Sequence, residues 1–285
     1  MKEDLTRALQ GDAHKIGKLL TPEAGDRRYY RPFAPEKHGW LLVTSAQVPD
    51  PALWKWLHQQ KVRAPRIREV CTRADGAQTA YWVEDLGDMH FVHQPTLEHM
   101  EQVLELRRNF SKSPIPLSIS NARWALDETL FLKELRIFQD YADSASGVLA
   151  KDCQALAKSA SEKPWAPQHR DFHSRNLLFL ETGEVACIDY QDLRPGPVLY
   201  DLASLATDAY YDVSELFQKR LLREACEVGD AEGWSEEKSK EIFRVTQLQR
   251  VWKALGTSGR LIQEGRTDYE EPQSRARIHV TRILS

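Results

Sequence analysis

The sequence has 285 residues, of which 41% are apolar and 28% are charged, and this composition excludes a disordered or collagen-like chain. Its 39 basic and 42 acidic side chains leave a net charge of −3, whereas a nucleic-acid binder needs a basic surplus. No apolar run approaches the roughly 20 residues of a membrane span, and the four cysteines are scattered without a C-x-x-C pair. We therefore expect a cytoplasmic monomer with reduced thiols and with no nucleic-acid or membrane partner.

The first 86 residues are typical of a small, β-rich lobe. Residues 5–20 follow a helical apolar period that is interrupted at Gly11. A short helix is expected after Pro51, laid against the sheet. Three short aromatic or β-branched segments between turn residues predict strands: 28–33, 40–44 and 80–83.

From about Pro95 the pattern becomes mainly helical. Apolar residues at helical spacing predict helices around 97–108, 130–138 and 149–157. A short hairpin over 176–188 interrupts them, and helices then continue from Tyr200 to Leu255, where Gly256 is expected to end the last one. Strands followed by helices predict an α+β fold, with an N-terminal lobe over 1–86 and a C-terminal lobe over 87–285.

The most informative segment is 169–176, which reads His-Arg-Asp-Phe-His-Ser-Arg-Asn. Asp171 and Asn176 have the spacing of the kinase pattern H-R-D-x-x-x-x-N. Phosphoryl transfer needs a carboxylate beside the attacking hydroxyl and hard oxygen ligands for Mg²⁺ on the phosphates. The loop supplies a carboxylate and an amide oxygen, and the hairpin returns the chain to a second carboxylate, Asp189.

A zinc site is the alternative interpretation of this segment, because His169 and His173 are both potential ligands. The sequence offers no third histidine or cysteine nearby. We therefore interpret His169 as a residue that braces the loop.

The segment from His169 to Leu205 resembles the aminoglycoside phosphotransferase and choline kinase-like superfamily. Within it, three further stretches are similar to the bacterial kinases that phosphorylate the anomeric hydroxyl of N-acetylmuramate or N-acetylglucosamine in cell-wall recycling. These stretches are Arg-Arg-Tyr-Tyr-Arg at 27–31, Glu-Asp-Leu-Gly at 84–87 and Gln-Arg-Val-Trp-Lys-Ala-Leu-Gly at 249–256.

The resemblance implies a two-lobed, protein-kinase-like fold in which residues 1–86 bind ATP and residues 87–285 carry catalysis and substrate binding. It implies Asp171 as the catalytic base, with Asn176 and Asp189 as Mg²⁺ ligands. The backbone of Glu84, Asp85 and Leu86 would meet adenine.

Other site residues are carried over on the same basis. Asp201 is expected to brace the catalytic loop. His173, Arg175 and Asp192 are candidate substrate contacts, although Arg175 and Asp192 are equally open to interpretation as an ion pair that holds the loop.

Two features depart from the kinase pattern. The strand over 40–44 has no lysine for the phosphates and the helix over 51–60 has no glutamate to pair with it. The phosphate loop is also poor in glycine, with only Gly25 between residues 21 and 28. Arg28 and Arg31 are the candidate replacement cations for ATP; they point to opposite faces of a strand, and we favour Arg31.

Three functions follow from this reading. The first is an ATP-dependent sugar 1-kinase that acts on N-acetylmuramate, N-acetylglucosamine or a similar amino sugar. The second is a kinase of another small hydroxyl substrate, such as an aminoglycoside, choline or homoserine. The third is a non-catalytic, pseudokinase-like nucleotide-binding module, which the missing lysine favours and the intact Asp171, Asn176 and Asp189 oppose.

Overall fold

Strands and helices segregate along the chain in the computed structural model, which describes residues 1–20, 26–141 and 150–285. Two compact units can be distinguished. Unit 1 comprises Met1–Met89 and Leu178–Gln191, and unit 2 comprises His90–Leu177 and Asp192–Ser285. The lobe boundary predicted after residue 86 stays a prediction, and the glycine expected in the phosphate loop, Gly25, lies outside the described residues.

The secondary structure elements are numbered in chain order. The strands are β1 (Gly17–Leu19), β2 (Arg28–Pro32), β3 (Trp40–Ser45), β4 (Ile67–Thr72), β5 (Thr79–Glu84), β6 (Trp165–Gln168), β7 (Leu177–Phe179), β8 (Val185–Cys187) and β9 (Arg194–Pro197). The helices are α1 (Lys2–Arg7), α2 (Ala13–Ile16), α3 (Pro51–Gln59), α4 (Leu97–Ser111), α5 (Glu128–Tyr141), α6 (Ala150–Ala160), α7 (Tyr200–Ala206), α8 (Glu215–Ala231), α9 (Glu236–Gln263) and α10 (Glu270–Leu284).

Unit 1 is built on an antiparallel sheet with the strand order β1-β2-β3-β5-β4. Neighbouring residues of β3 and β5 point to opposite faces, so that Leu42 and Trp82 pack with the N-terminal helices while Val43 and Tyr81 pack on the other face. The three predicted strands are confirmed as β2, β3 and β5. The sequence did not reveal β4, because a bulge at Glu69 (φ +48°) breaks its period of two.

The N-terminal helical segment is kinked where the sequence predicts it. Gly11 adopts a φ of +97°, which side-chain-bearing residues rarely adopt, between α1 and α2. The helix does not extend to residue 20 as the apolar period suggests. Leu19 instead lies in β1, opposite Tyr30, and is 44% exposed.

Unit 2 is mainly helical, with an apolar core formed by α5, α6, α7, α9 and α10. The predicted stop at Gly256 is wrong, because α9 continues to Gln263. Gly256 is required for close packing instead: a Cβ atom there would lie 2.5 Å from the main-chain nitrogen of Phe138 on α5. The glycine thus allows two helix backbones to touch.

Two negative observations concern the described residues. None of their helices combines the length and the apolar character that a membrane crossing requires. The four cysteines are all free thiols, as predicted.

Candidate active site

The loop that follows β6 carries the predicted catalytic residue and is anchored by a buried aspartate. Asp201, at the start of α7, is fully buried, and its carboxylate accepts hydrogen bonds from the main-chain N–H groups of His169 (2.6 Å) and Arg170 (3.1 Å). Arg170 has a φ of +77°, in the left-handed region that side chains disfavour. The two hydrogen bonds stabilise this backbone conformation, and Asp201 therefore braces the loop as predicted.

Asp171 lies next to two cations of α9. Its Oδ1 accepts a hydrogen bond from Lys253 Nζ at 2.9 Å and lies 3.7 Å from Arg250 Nη1. Burial alone would raise the pKa of the Asp171 carboxyl, but Lys253, Arg250 and Arg170 outweigh it and hold that pKa well below its usual range. Asp171 is therefore an ionised hydrogen-bond acceptor at every physiological pH.

A second carboxylate, Glu134 of α5, ties these cations together. It is buried, and its Oε1 accepts a hydrogen bond from Arg170 Nη2 at 3.1 Å while Oε2 accepts one from Gln249 Nε2 at 3.0 Å. Lys253 Nζ lies 3.7 Å from Oε1. We call these side chains the charge cluster: Glu134, Arg170, Asp171, Arg250 and Lys253.

Arg250 is fixed by further contacts on α7. Its Nη1 donates to the Tyr200 hydroxyl and its Nη2 donates to Ser204 Oγ, each at 2.9 Å. Its charge is buried, with 8% of the side chain exposed, and it is balanced by the carboxylate of Asp171. The charge cluster is thus held rigidly from three helices, α5, α7 and α9.

Asn176 has the arrangement expected of a metal ligand. Its Nδ2 donates to the main-chain carbonyl of Asp171 at 2.9 Å, so the amide orientation is fixed. Its Oδ1 is buried and has no hydrogen-bond partner among the described residues. An orphaned, buried amide oxygen is costly unless a cation or water completes it, and such an oxygen fits a hard ion such as Mg²⁺.

A cavity of about 120 Å³ lies in unit 2 beside the charge cluster. Asp171, Arg250 and Lys253 contribute to its wall. The remaining lining residues come from the 169–176 loop, α7 and its following turn, α9 and the start of α10: His173, Ser204, Thr207, Asp208, Ala209, Tyr210, Ala254, Thr257, Ser258, Tyr269 and Pro272.

One of the predicted substrate contacts lines this cavity, and a second packs against a residue of its wall. His173 lines it, and burial lowers the pKa of His173 to about 3, so the ring is neutral and can bind only as a hydrogen-bonding group. Arg175 stacks its guanidinium 4.0 Å from the ring centroid of Tyr210, a lining residue. Asp192 instead pairs with Arg194 (2.7 Å) and Arg170 (3.4 Å).

In unit 1, Asp189 occupies the turn after β8. It adopts a φ of +60°, and its Oδ1 accepts hydrogen bonds from Arg27 Nη1 at 2.5 Å and from Gln191 Nε2 at 2.6 Å. Within the described chain, no three or more His, Cys, Asp or Glu side chains are grouped to hold a metal ion. Mg²⁺ needs no such group, since it keeps several waters and uses one or two protein carboxylates.

The predicted ATP residues are all in unit 1, on β2 and at the end of β5. Arg31 is held in ion pairs with Asp85 (2.9 Å) and Asp88 (3.1 Å), and Arg28 Nη1 donates to the main-chain carbonyl of Arg27. Contact of either arginine with ATP stays a prediction, and Arg31 would first have to exchange its carboxylate partners.

The segment predicted to meet adenine, Glu84 to Leu86, contains a main-chain donor. Glu84 uses its carboxylate to bind Arg63 and Arg66, and Asp85 donates its main-chain N–H to Gly39. In the part of the chain that the structure describes, the main-chain N–H of Leu86 makes no hydrogen bond. That donor suits the edge of a purine base.

Sequence reasoning missed Lys253, Arg250 and Arg27. All three lie within the stretches that carry the family resemblance, but the resemblance assigned them no role. The signal on α9 was the spacing. Lys253 stands three positions after Arg250 and four positions after Gln249, so the three side chains share one face of the helix.

Comparison with known proteins agrees with this geometry. Residues 50–238, well over half of the chain, match the family model described as the phosphotransferase enzyme family (APH). The chain therefore belongs to this family of phosphotransferases, the class of enzyme that the loop and its carboxylates indicate. The resemblance drawn from the sequence is confirmed.

Curated relatives are similar over parts of the chain. The N-acetylmuramate/N-acetylglucosamine kinase of Pseudomonas aeruginosa is 34% identical over 96 residues, which are 30% of this chain and 28% of that protein. The kinases of the same name from Neisseria meningitidis (35% identical; 37% and 32%) and Pseudomonas putida (25% identical; 60% and 52%) also match. The chain thus spans about half or less of the length of these relatives.

Solved structures are similar over nearly the whole chain. A thermostable aminoglycoside phosphotransferase APH(4)-Ia has a TM-score of 0.63 at 14% identity, covering 96% of this chain and 98% of that one. A choline/ethanolamine kinase family protein from Mesorhizobium loti has a TM-score of 0.57 at 13% identity, covering 100% and 94%. The expected α+β, protein-kinase-like fold is confirmed.

Proposed function

We propose that this protein is an ATP-dependent kinase that transfers the γ-phosphoryl group to a sugar hydroxyl, with the anomeric hydroxyl of N-acetylmuramate or N-acetylglucosamine as the acceptor. The observation that carries the proposal is the ionised carboxylate of Asp171 on the wall of a cavity, held by Lys253 and Arg250. The partial matches to curated kinases of these two sugars support the choice of acceptor.

In this proposal Asp171 accepts a hydrogen bond from the acceptor hydroxyl and orients its oxygen toward the γ-phosphorus. The new O–P bond forms as the bond to ADP breaks, and the hydroxyl proton passes to Asp171 or to solvent. A carboxyl with so low a pKa is a weak base, so positioning of the hydroxyl contributes more than proton abstraction. That suits a loose transition state, in which the hydroxyl becomes strongly acidic only late.

Asn176 Oδ1 and the carboxylate of Asp189 are the groups that would hold Mg²⁺. When bound, Mg²⁺ neutralises charge on the β- and γ-phosphates. The buried, unpartnered Oδ1 of Asn176 supports this assignment. Arg27 pairs with Asp189 and offers a second positive charge beside this turn.

ATP is the proposed donor. Structures of the similar aminoglycoside phosphotransferase contain ADP or AMP-PNP, which supports an adenine nucleotide here. The free main-chain N–H of Leu86 among the described residues offers a hydrogen bond to adenine. Arg28 and Arg31 remain proposed contacts of the phosphates.

The charges of the cavity favour a neutral or anionic acceptor over a polycation. Arg250 and Lys253 line it, while the carboxylate of Asp208 is already used by the main-chain N–H groups of Ser174 (2.6 Å) and Tyr210 (2.9 Å). A polycationic aminoglycoside or choline would need surplus acidic side chains there. An amino sugar with an N-acetyl group does not.

The test is an acceptor panel with the purified protein and Mg-ATP, read by ³¹P NMR. N-acetylmuramate and N-acetylglucosamine should give an anomeric phosphate, and kanamycin, choline and homoserine should react more slowly. Faster phosphorylation of kanamycin, choline or homoserine would contradict the proposed sugar acceptor and favour that compound instead. Nucleotide binding without turnover on the whole panel would favour the pseudokinase interpretation.

A further inference from the structure

We propose that Lys253 is a positioning residue for phosphoryl transfer, which directs one oxygen of the Asp171 carboxylate toward the acceptor by binding the other. This inference rests on the proposed kinase function and adds to it a residue from the late helix α9, outside the catalytic loop. Lys253 stands 82 positions from Asp171 in the sequence.

The contacts of Asp171 divide its two oxygens. In the described chain, both cations that reach the carboxylate do so through Oδ1: Lys253 Nζ at 2.9 Å and Arg250 Nη1 at 3.7 Å. The side chain of Asp171 is 31% exposed and lines the cavity, so its other oxygen is left for the acceptor hydroxyl. A charge-assisted hydrogen bond to one oxygen fixes the rotation of a carboxylate that would otherwise turn freely.

Lys253 is better placed for this role than its neighbours. Arg250 is committed to Tyr200 and Ser204 at 2.9 Å and lies farther from the carboxylate. Arg170 donates to Glu134. Lys253 makes its shortest contact with Asp171, whereas its distance to Glu134 is 3.7 Å, so neutralising Glu134 does not account for its position.

Helix packing sets the reach of Lys253. Gly256 stands three positions after Lys253 and therefore on the same face of α9, where it touches the α5 backbone at Phe138. Glu134 lies one turn before Phe138 on α5. The close approach of the two helices thus brings Lys253 and Glu134 together and presents the ammonium group to the catalytic loop.

Lys253 also brings a fixed positive charge close to the atoms that would react in the proposed transfer. The attacking oxygen must lie within hydrogen-bond distance of Asp171, and the transferred phosphoryl group is bonded to that oxygen at the end of the reaction. A fixed ammonium group beside the carboxylate stabilises negative charge that develops there. Lys253 lines the cavity and is only 13% exposed, so water screens this charge weakly.

The test compares Lys253→Met, Lys253→Arg and Lys240→Met with the parent enzyme on the best acceptor of the panel. Lys240 lies on the same helix, is half exposed and pairs with a surface glutamate, Glu236, so its loss should leave kcat unchanged. Lys253→Met should lower kcat by about 10²-fold while the KM for ATP stays within about threefold. Lys253→Arg keeps the charge and should recover at least a tenth of the parent kcat.

Each outcome is decisive because thermal unfolding is measured on the same samples. A kcat of Lys253→Met within threefold of the parent would overturn the role of Lys253 and leave the proposed kinase intact. Equal losses in Lys253→Met and Lys253→Arg with a large fall in Tm would also overturn it in favour of a purely structural role. A parent enzyme that phosphorylates no acceptor would defeat the proposed function, and this inference with it.

Discussion

Asp171 and Asp189, the two carboxylates assigned to chemistry, are equally exposed, at 31% and 32% of their side-chain surface, but they are held differently. Asp171 in unit 2 meets two cations from one rigid helix, and its neighbour Arg170 carries the unusual backbone angle. Asp189 in unit 1 carries the positive φ itself and pairs with Arg27. The first arrangement fixes charge and orientation from a helix, whereas the second holds a carboxylate in a turn, paired with Arg27.

The difference matches what each role requires. A group that orients a hydroxyl must stay ionised and keep one rotation, which a permanent contact with Lys253 provides. A group that binds Mg²⁺ with a nucleotide must offer an oxygen to the ion, and the contacts of Asp189 with Arg27 and Gln191 both use Oδ1. Because the side chain of Arg27 is only 22% exposed, losing its carboxylate partner would be costly, and the proposed Mg²⁺ would bind through the other oxygen of Asp189.

The largest effect is expected from removing the charge of Asp171. Asp171→Asn keeps the shape of the side chain but leaves Lys253 and Arg250 without their partner, so kcat should fall by about 10²–10⁴-fold. Nucleotide binding, measured by calorimetry, should be retained because Asp171 is not among the proposed nucleotide or Mg²⁺ contacts. Turnover within threefold of the parent would show that the loop has been assigned wrongly.

Removing the charge of Asp189 should affect ATP binding, and this effect would distinguish the role of Asp189 from that of Asp171. Asp189→Ala should weaken Mg-dependent ATP binding by at least about tenfold, because the metal loses its charged ligand. Binding of ATP in the presence of EDTA should change much less, and this serves as the internal control. If Asp189→Ala and Asp171→Asn lose kcat alike with no change in ATP affinity, the distinction between the two aspartates is wrong.

The smallest expected effect concerns acid stability in unit 2. Burial lowers the pKa of His279 below its usual 6.5, outweighing its hydrogen bond to the carbonyl of Asp208 (3.1 Å). Below pH 6.5 the unfolded chain therefore binds a proton that the folded chain does not, so the free energy of unfolding falls as the pH falls. We expect the free energy of unfolding, measured with urea, to fall less from about pH 7.5 to about pH 5 in His279→Gln than in the parent.

The control for this comparison is His14→Gln, which replaces an exposed histidine of α2 in unit 1. It should show the same pH dependence as the parent. A parallel change in both variants would assign the acid sensitivity to histidines in general rather than to burial in unit 2.

Local signals predicted much of the fold and led to the core of the proposed site. The hairpin strands β2 and β3 and the helices α4 and α5 follow from apolar periodicity, and Asp171, Asn176 and Asp189 follow from spacing within about twenty residues. Such features depend on neighbours in the chain, and a single sequence displays them directly.

Features that depend on distant contacts were not predicted. Gly256 looked like a helix stop because glycine is frequent there, and nothing nearby reveals that α5 needs the space. Lys253 and Glu134 are 119 positions apart, and their meeting depends on that packing. The bulge at Glu69 likewise hides β4, since its backbone angle is imposed by pairing with β5.

The contact between α5 and α9 would restrict how the acceptor range of the proposed kinase can diversify. Gly256 and Gly259 both place α9 against the α5 backbone, so a larger residue at either position would displace the helix that carries Lys253. Variants with new acceptors should therefore carry their changes elsewhere in the cavity wall, in the turn from Thr207 to Tyr210 and around Pro272. Libraries for altered specificity are best confined to these positions, with α9 left untouched.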